Sequence, residues 1–178
     1  MLFAIIAAIT LLLAAIFIVA ALQPAAFCVA RSTTIAAPPL VIFGHVNDLK
    51  KFQQWDPWSK MDPSTQHSYS GPSVGVGAAQ SWTGQKTGVG KMTITESRPG
   101  ELVRMRLEFM KPFAATNTVD FTFRPEGGQT VTTWSMSGVN HFGFRLMGLF
   151  MSMEKICGPQ FESGLADLKT LAEAAARK

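Results

Sequence analysis

Residues 102 to 109 alternate without a break, with Val103, Met105, Leu107 and Phe109 on one parity and Arg104, Arg106 and Glu108 on the other. Successive side chains of a strand point to opposite faces, so this pattern predicts a strand with one buried and one wet face, as in an antiparallel sheet. The pattern recurs at 115–124 through Val119, Phe121 and Phe123. Turn signals of the kind that separate hairpin strands surround both stretches: Gly71-Pro72, Gly75-x-Gly77, Gly84, Pro99-Gly100 and Glu126-Gly127-Gly128. With a further alternating stretch near the start, they predict about seven strands, at 27–35, 68–70, 78–83, 88–98, 102–109, 115–124 and 129–138.

A sheet with one apolar face must bury it against another layer. The amphipathic candidate is 160–175, where Phe161, Leu165, Leu168 and Leu171/Ala172 form one helical stripe and Glu162, Asp167, Lys169 and Glu173 lie off it. The predicted fold is therefore α+β, a bent antiparallel sheet of about seven strands around a long C-terminal helix. Glycines at 71, 75, 77, 84, 88 and 90 ease the bend. The segment before that helix, 142–156, is apolar nearly all round (Phe142, Phe144, Leu146, Met147, Leu149, Phe150, Met151, Met153) and needs cover from protein, ligand or lipid. Gly158-Pro159 between the two halves predicts a kinked joint.

Two short helices are expected after the first strand. Ala37-Pro38-Pro39 leads into the first, with Leu40, Phe43 and Val46 three apart. Asp48 is a good N-cap for the second, whose stripe is Leu49, Phe52 and Trp55. Asp56-Pro57 is read as its end, leaving Trp58 in a polar connection that runs to about Gln66.

Residues 2–22 carry no charged side chain, and the first charge in the chain is Arg31. As a helix such a run reaches about 30 Å, the thickness of a bilayer's hydrocarbon core. Val19-Ala20-Ala21 offers small residues where a signal peptidase would cut. Against cleavage stand the missing basic n-region and an apolar run longer than a signal peptide's h-region. The expected organisation is an uncleaved transmembrane anchor at 1–25, with a signal peptide as the alternative, followed by a ligand-binding domain at 26–178. The protein is then a single-pass membrane protein; Arg31, Lys50 and Lys51 against a bare N-terminus leave its side of the membrane open.

The net charge of +4 is scattered rather than gathered into a basic stripe, which argues against nucleic-acid binding. Cys28 and Cys157 lack metal-ligand spacing and are read as buried free thiols. No two of His45, His67 and His141 have metal spacing, so no metal is expected. A nucleophile elbow and a phosphate loop are likewise missing, and no cofactor is expected.

Phe27-x-Val29-x-Arg31-Ser32, Ala37-Pro38-Pro39, Val46-Asn47-Asp48-Leu49, Trp55-x-x-Trp58, Tyr69-x-Gly71-Pro72, Gly75-x-Gly77, Trp82-x-Gly84, Thr133-Trp134-x-Met136-x-Gly138 and Phe161-Glu162-x-Gly164-Leu165-x-x-Leu168-Lys169 carry a resemblance. Over residues 27–173 the chain resembles the START-like, helix-grip superfamily, in its polyketide cyclase/dehydrase-like (SRPBCC) branch. That resemblance implies a β-α-α-β6-α order and an apolar cavity between the sheet and the final helix. Members bind lipids, sterols and quinones or catalyse cyclisation and dehydration, and the shared motifs are scaffold residues that transfer no catalytic group. With the strand parities, it places Trp82, Met105, Leu107, Phe109, Asn117, Val119, Phe121, Trp134, Met136, Phe150, Phe161 and Leu165 on the cavity wall. The expected function is membrane-anchored binding of a hydrophobic small molecule, lipid-, isoprenoid- or quinone-like. A cyclase/dehydrase-type enzyme using Tyr69 or His141 is the first alternative, and a non-catalytic interaction domain is the second.

Overall fold

The strand and helix signals resolve into one sheet and one long covering helix. The computed structural model describes residues 1–140, 142–149 and 152–177, apart from the side chain of Met147; His141, Phe150 and Met151, singled out above, lie outside them. In chain order the elements are α1 (Leu2–Leu22), β1 (Ala26–Ile35), α2 (Pro39–Val46), α3 (Leu49–Phe52), α4 (Pro57–Met61), β2 (Gln66–Ser70), β3 (Ala79–Gly84), β4 (Gly88–Arg98), β5 (Leu102–Lys111), β6 (Ala115–Glu126), β7 (Gln129–Val139), α5 (Phe142–Gly148) and α6 (Met153–Ala176). The seven strands are antiparallel, in the order β1-β7-β6-β5-β4-β3-β2. The N-terminal strand β1 thus closes the sheet beside the last strand, and α6 lies against it.

Alternation places the side chains as expected. Val103, Met105, Val119, Phe121, Phe123, Trp134 and Met136 are buried on the inner face. On the outer face Arg104 holds Asp120 in a two-pronged ion pair (2.8 and 2.9 Å) and also reaches Glu96, while Arg106 pairs with Glu108. Phe161, Leu165, Leu168 and Ala172 of α6 fill the inner face, with Ile42, Phe43, Val46, Leu49 and Phe52 closing the core from α2 and α3 and Trp55 from the turn after α3. At the centre the Trp134 ring stacks on Phe161, with centroids 4.2 Å apart and 12° between planes. Phe121, Trp55, Trp58 and Phe52 surround Trp134 at 4.9 to 6.3 Å. Each such pair contributes about 0.5–1.5 kcal/mol beyond the area it buries.

Four local expectations are corrected. Asp56-Pro57 starts a helix instead of ending one: Asp56 accepts hydrogen bonds from the Trp58 and Ser59 amides, and Pro57 takes the first helical position, where its missing N–H costs nothing. Leu40 of α2 is exposed, because Ile42, Phe43 and Val46 form the buried face. Cys28 is exposed on the outer parity of β1, whereas Cys157 is buried. Gly158-Pro159 is not a joint, since α6 begins one and a half turns earlier, capped by Ser152, and runs through both residues. Pro159 forfeits one hydrogen bond in the second turn. Gly158 has a different purpose: a side chain there would occupy the place of the Arg31 guanidinium, which lies across the helix between Glu154 and Glu162.

The β3–β4 turn is tied down by Asp62. Its carboxylate accepts from the Ser64 hydroxyl (2.6 Å) and from the Lys86 (2.9 Å) and Thr87 (3.4 Å) amides, and these bonds hold it well below the usual carboxylate range. A carboxylate with a depressed folded pKa contributes stability above its unfolded value, near 4, that is lost as pH falls toward the folded value. Wild-type protein in detergent should therefore be more stable than Asp62→Asn at pH 7, and urea melts should show the gap closing below about pH 4. A second expectation concerns Gly164, where a Cβ would stand 2.8 Å from the Trp134 ring and 3.1 Å from Pro57. Gly164→Ala gains helix propensity of about 1 kcal/mol but overpacks a rigid contact at about 1–3 kcal/mol, so it should lower the urea midpoint. Gly143→Ala in α5, with open space around it, should not.

Candidate ligand cavity

Below the Trp134–Phe161 stack the inner face is packed solid; above it the sheet and α6 diverge around a cavity of about 450 Å³. This lies within the range of small-molecule sites, about 300–1,000 Å³. Cross-strand register explains its shape. One row across the inner face runs Gln80, Met92, Leu107, Asn117 and Gly138, from β3 to β7. The next row outward runs Trp82, Gly90, Phe109 and Ala115. Two glycines in these rows make room for their neighbours: a Cβ on Gly90 would overlap the Trp82 ring, and one on Gly138 the Asn117 amide.

Of the wall residues expected from the sequence, Trp82, Leu107, Phe109, Asn117, Val119, Trp134, Met136 and Phe161 line the cavity. Met105, Phe121 and Leu165 do not; each is essentially fully buried in the core. Met105 shares its cross-strand row with Val119 and Met136, which do line the cavity, and Phe121 shares one with Trp134; Ile94, Val29 and Leu168 belong to the same core. Phe150 and His141 fall outside the described residues. Tyr69 is absent from the wall: it is exposed, hydrogen-bonds Gln53 and carries Lys50 over its ring. Burial and nearby Asp48 and Asp56 raise its pKa, which moves it away from acid–base work at neutral pH.

Sequence reasoning missed several wall residues. His67, read as a loop residue, belongs to β2 opposite Trp82 and faces the cavity. Gln80 shares parity with Trp82, so the same alternation that placed the tryptophan could have placed the glutamine. Its Nε2 lies 2.6 Å from His67 Nδ1. Asp56 reaches the wall from the N-cap of α4; burial raises its pKa, opposed by hydrogen bonds from the Ser59 hydroxyl and the Ser59 and Trp58 amides. Cys157, on the wall from α6, has its thiol pushed up to about 11 by burial, so it is protonated at neutral pH. Among the described residues no group of three His, Cys, Asp or Glu is placed to hold a metal ion.

The open end of the cavity is rimmed by Phe113, Val139 and Ile156, all more than a third exposed, with Lys86 and Lys111 beside them. Phe113 of the β5–β6 turn meets Phe144 of α5 edge to face at 5.7 Å, bridging one side of the rim to the other. The same α5 packs on the end of α1: Phe142 stacks on Phe17 at 5.8 Å, and Arg145 Nη1 donates to the Ala21 carbonyl at 3.2 Å. Arg145 thereby supplies a positive group to a helix C-terminus that has no basic residue of its own.

The geometry agrees with comparisons to known proteins. Solved structures of similar fold include a protein from Chromobacterium violaceum (16% identity, 82% of this chain and 97% of that one, TM-score 0.60). The Aha1 dimer from Colwellia psychrerythraea (16%, 83% and 96%, 0.60) and a protein from Thermus thermophilus (18%, 84% and 99%, 0.56) are similar in the same way. At these identities the likeness is one of fold. No functionally curated protein matches the sequence significantly. Residues 26–173 match the family described as polyketide cyclase / dehydrase and lipid transport, and with its helix-grip sheet and C-terminal helix the chain belongs to that family.

Proposed function

We propose that this protein is a membrane-tethered binder of a hydrophobic small molecule, which it exchanges with the bilayer that holds its N-terminal helix. The observation that carries this reading is the cavity itself: about 450 Å³, walled by Leu107, Phe109, Val119 and Met136 and opening at the end of the sheet nearest α1. Its family, described as including lipid transport, supports the same ligand chemistry.

The tether follows from α1. The helix has 21 residues, a mean hydropathy of 3.1 over its most apolar window and almost every side chain exposed. Such a surface calls for lipid, since most of its length stands exposed apart from the α5 contacts near its C-terminal end. A signal sequence would share the length and hydropathy, but the Phe17–Phe142 stack and the Arg145 bonds to Ala21 favour a helix retained by the folded domain. Chain connectivity then fixes the mouth. Phe27, on the cavity wall, lies five residues beyond Leu22, so even fully extended chain keeps it within about 17 Å of the helix end. The Phe113–Phe144 pair stands at that end as the door of the cavity.

Two measurements test this reading. Full-length protein purified from membranes, extracted with organic solvent and analysed by mass spectrometry, should yield a co-purifying apolar molecule, and its intact mass should include residues 1–25. A ligand-free protein that also takes up no apolar probe would refute the binding reading; a mass lacking the first helix would refute the tether. For the door, Phe113→Asp introduces a carboxylate that must enter the bilayer interface at a cost up to about 1 kcal/mol, roughly fivefold in rate. Uptake of retinol from vesicles, followed by energy transfer from the cavity tryptophans, should slow by about that factor with the melting temperature unchanged, because Phe113 is 62% exposed.

A further inference from the structure

One row of the largely apolar cavity wall carries two buried amides. Asn117 is 5% exposed and lines the cavity. Its place is prepared: a Cβ on cross-strand Gly138 would collide with Asn117 Oδ1 and Cγ and stand 3.0 Å from the Phe27 ring. Three strands away, about 14 Å along the sheet, Gln80 is 4% exposed. One end of its amide meets His67, and the other, Oε1, is buried without a partner. Trp134 Nε1, from another wall residue, is also buried without a partner. Between the two amides lie Met92 and Leu107, an apolar floor.

Buried polar atoms are nearly always satisfied, and an orphan is costly. Gln80 Oε1 and Trp134 Nε1 are two of six such atoms among the described residues, and the two whose residues line a ligand-sized cavity, where a ligand could satisfy them. Charge narrows its class. Lys86 and Lys111 sit exposed at the rim. The one acidic group on the wall, Asp56, is occupied as the cap of α4 by two amides and a hydroxyl. The remaining polar groups on the wall are side-chain amides, hydroxyls, the His67 imidazole and indoles, which are suited to neutral oxygen.

We propose that the cavity selects a neutral, oxygen-bearing apolar molecule, an alcohol or ketone, whose body lies over Met92 and Leu107 and whose oxygen is held by Asn117 or by the Gln80–His67 pair. This rests on the ligand-binding reading above and narrows it: a plain hydrocarbon would leave the row unsatisfied, and a charged amphiphile would keep its head at the rim lysines.

The test uses full-length protein in lipid nanodiscs with three probes of one carbon skeleton: farnesol, the hydrocarbon farnesene and the carboxylate farnesoate. Binding is read from tryptophan emission, since Trp58, Trp82 and Trp134 all line the cavity. The quantity compared is the ratio of farnesene to farnesol dissociation constants, in wild type and in the near-isosteric variants Asn117→Leu and Gln80→Met, so that differences in probe partitioning cancel. Loss of a hydrogen bond to the hydroxyl should shift that ratio toward farnesene by roughly fivefold or more in at least one variant, with farnesene binding retained. A ratio within twofold of wild type in both folded variants overturns the proposal. So does tighter binding of farnesoate that disappears in Lys86→Ala or Lys111→Ala and ignores Asn117 and Gln80. If wild type binds none of the three, the apolar-cavity reading falls with it, an outcome distinct from binding without selectivity.

Discussion

The contact on which the structure turns is the stack of Trp134 on Phe161. It is where β7 meets α6, and it draws in α3 and α4 through Phe52, Trp55 and Trp58. Gly164, one turn along α6, lets the helix approach closely enough for the rings to overlap, and Pro57 fills the other side of that gap. On one side of the stack the core is closed, with Ile35, Phe123 and Leu168 buried. On the other the sheet and helix separate. The stack is at once the top of the core and the floor of the cavity, so the same aromatic pair that stabilises the domain decides how deep a ligand can sit.

This division explains which residues could be placed from sequence and which could not. Alternation assigns a face, and the inward parity of β5, β6 and β7 was legible residue by residue. It does not say how far along a strand the helix stays in contact. Met105 and Leu107 share a face and a strand, yet one lies in the core and the other on the cavity wall. Register alone does not set the difference, since Val119 and Met136 in Met105's own row line the cavity; it depends on which elements cover each position, a long-range property that period does not carry. Tyr69 and His67 show the same effect at the sheet edge, two residues apart on one parity with only His67 in the cavity.

Local chemistry was legible where its signal was unambiguous. Asp48 as an N-cap and proline at the start of α2 follow from side-chain hydrogen bonding and fixed φ alone. Asp56-Pro57 carries the same N-cap and first-turn signals as those helices, and reading it as a stop cost α4, and with it Asp56 on the cavity wall. Gly158-Pro159 erred in the opposite sense. A glycine–proline pair reads as a break because local rules see only backbone propensity, whereas the glycine is required by Arg31, more than a hundred residues away in sequence. Ser152 and the ion pairs of Arg31 with Glu154 and Glu162 hold the helix through the lost hydrogen bond.

The location of the mouth depends least on side-chain detail. β1 follows α1 after only Gln23, Pro24 and Ala25, and it pairs from its first residue with the end of β7, where the Asn140 amide also bonds the Ala25 carbonyl at 2.7 Å. The end of the sheet that carries Phe27, Val139 and Asn140 is thus held close to the C-terminus of the apolar helix by covalent geometry and strand pairing together. A cavity floored by Trp134 can open only away from that stack, toward this same end. Any domain of this topology with so short a linker presents its opening to whatever surface holds the helix. Arg145 and Phe142 then set the angle of approach by contacting α1 directly. On the proposed reading, that short linker would keep the path between cavity and bilayer short for an apolar ligand.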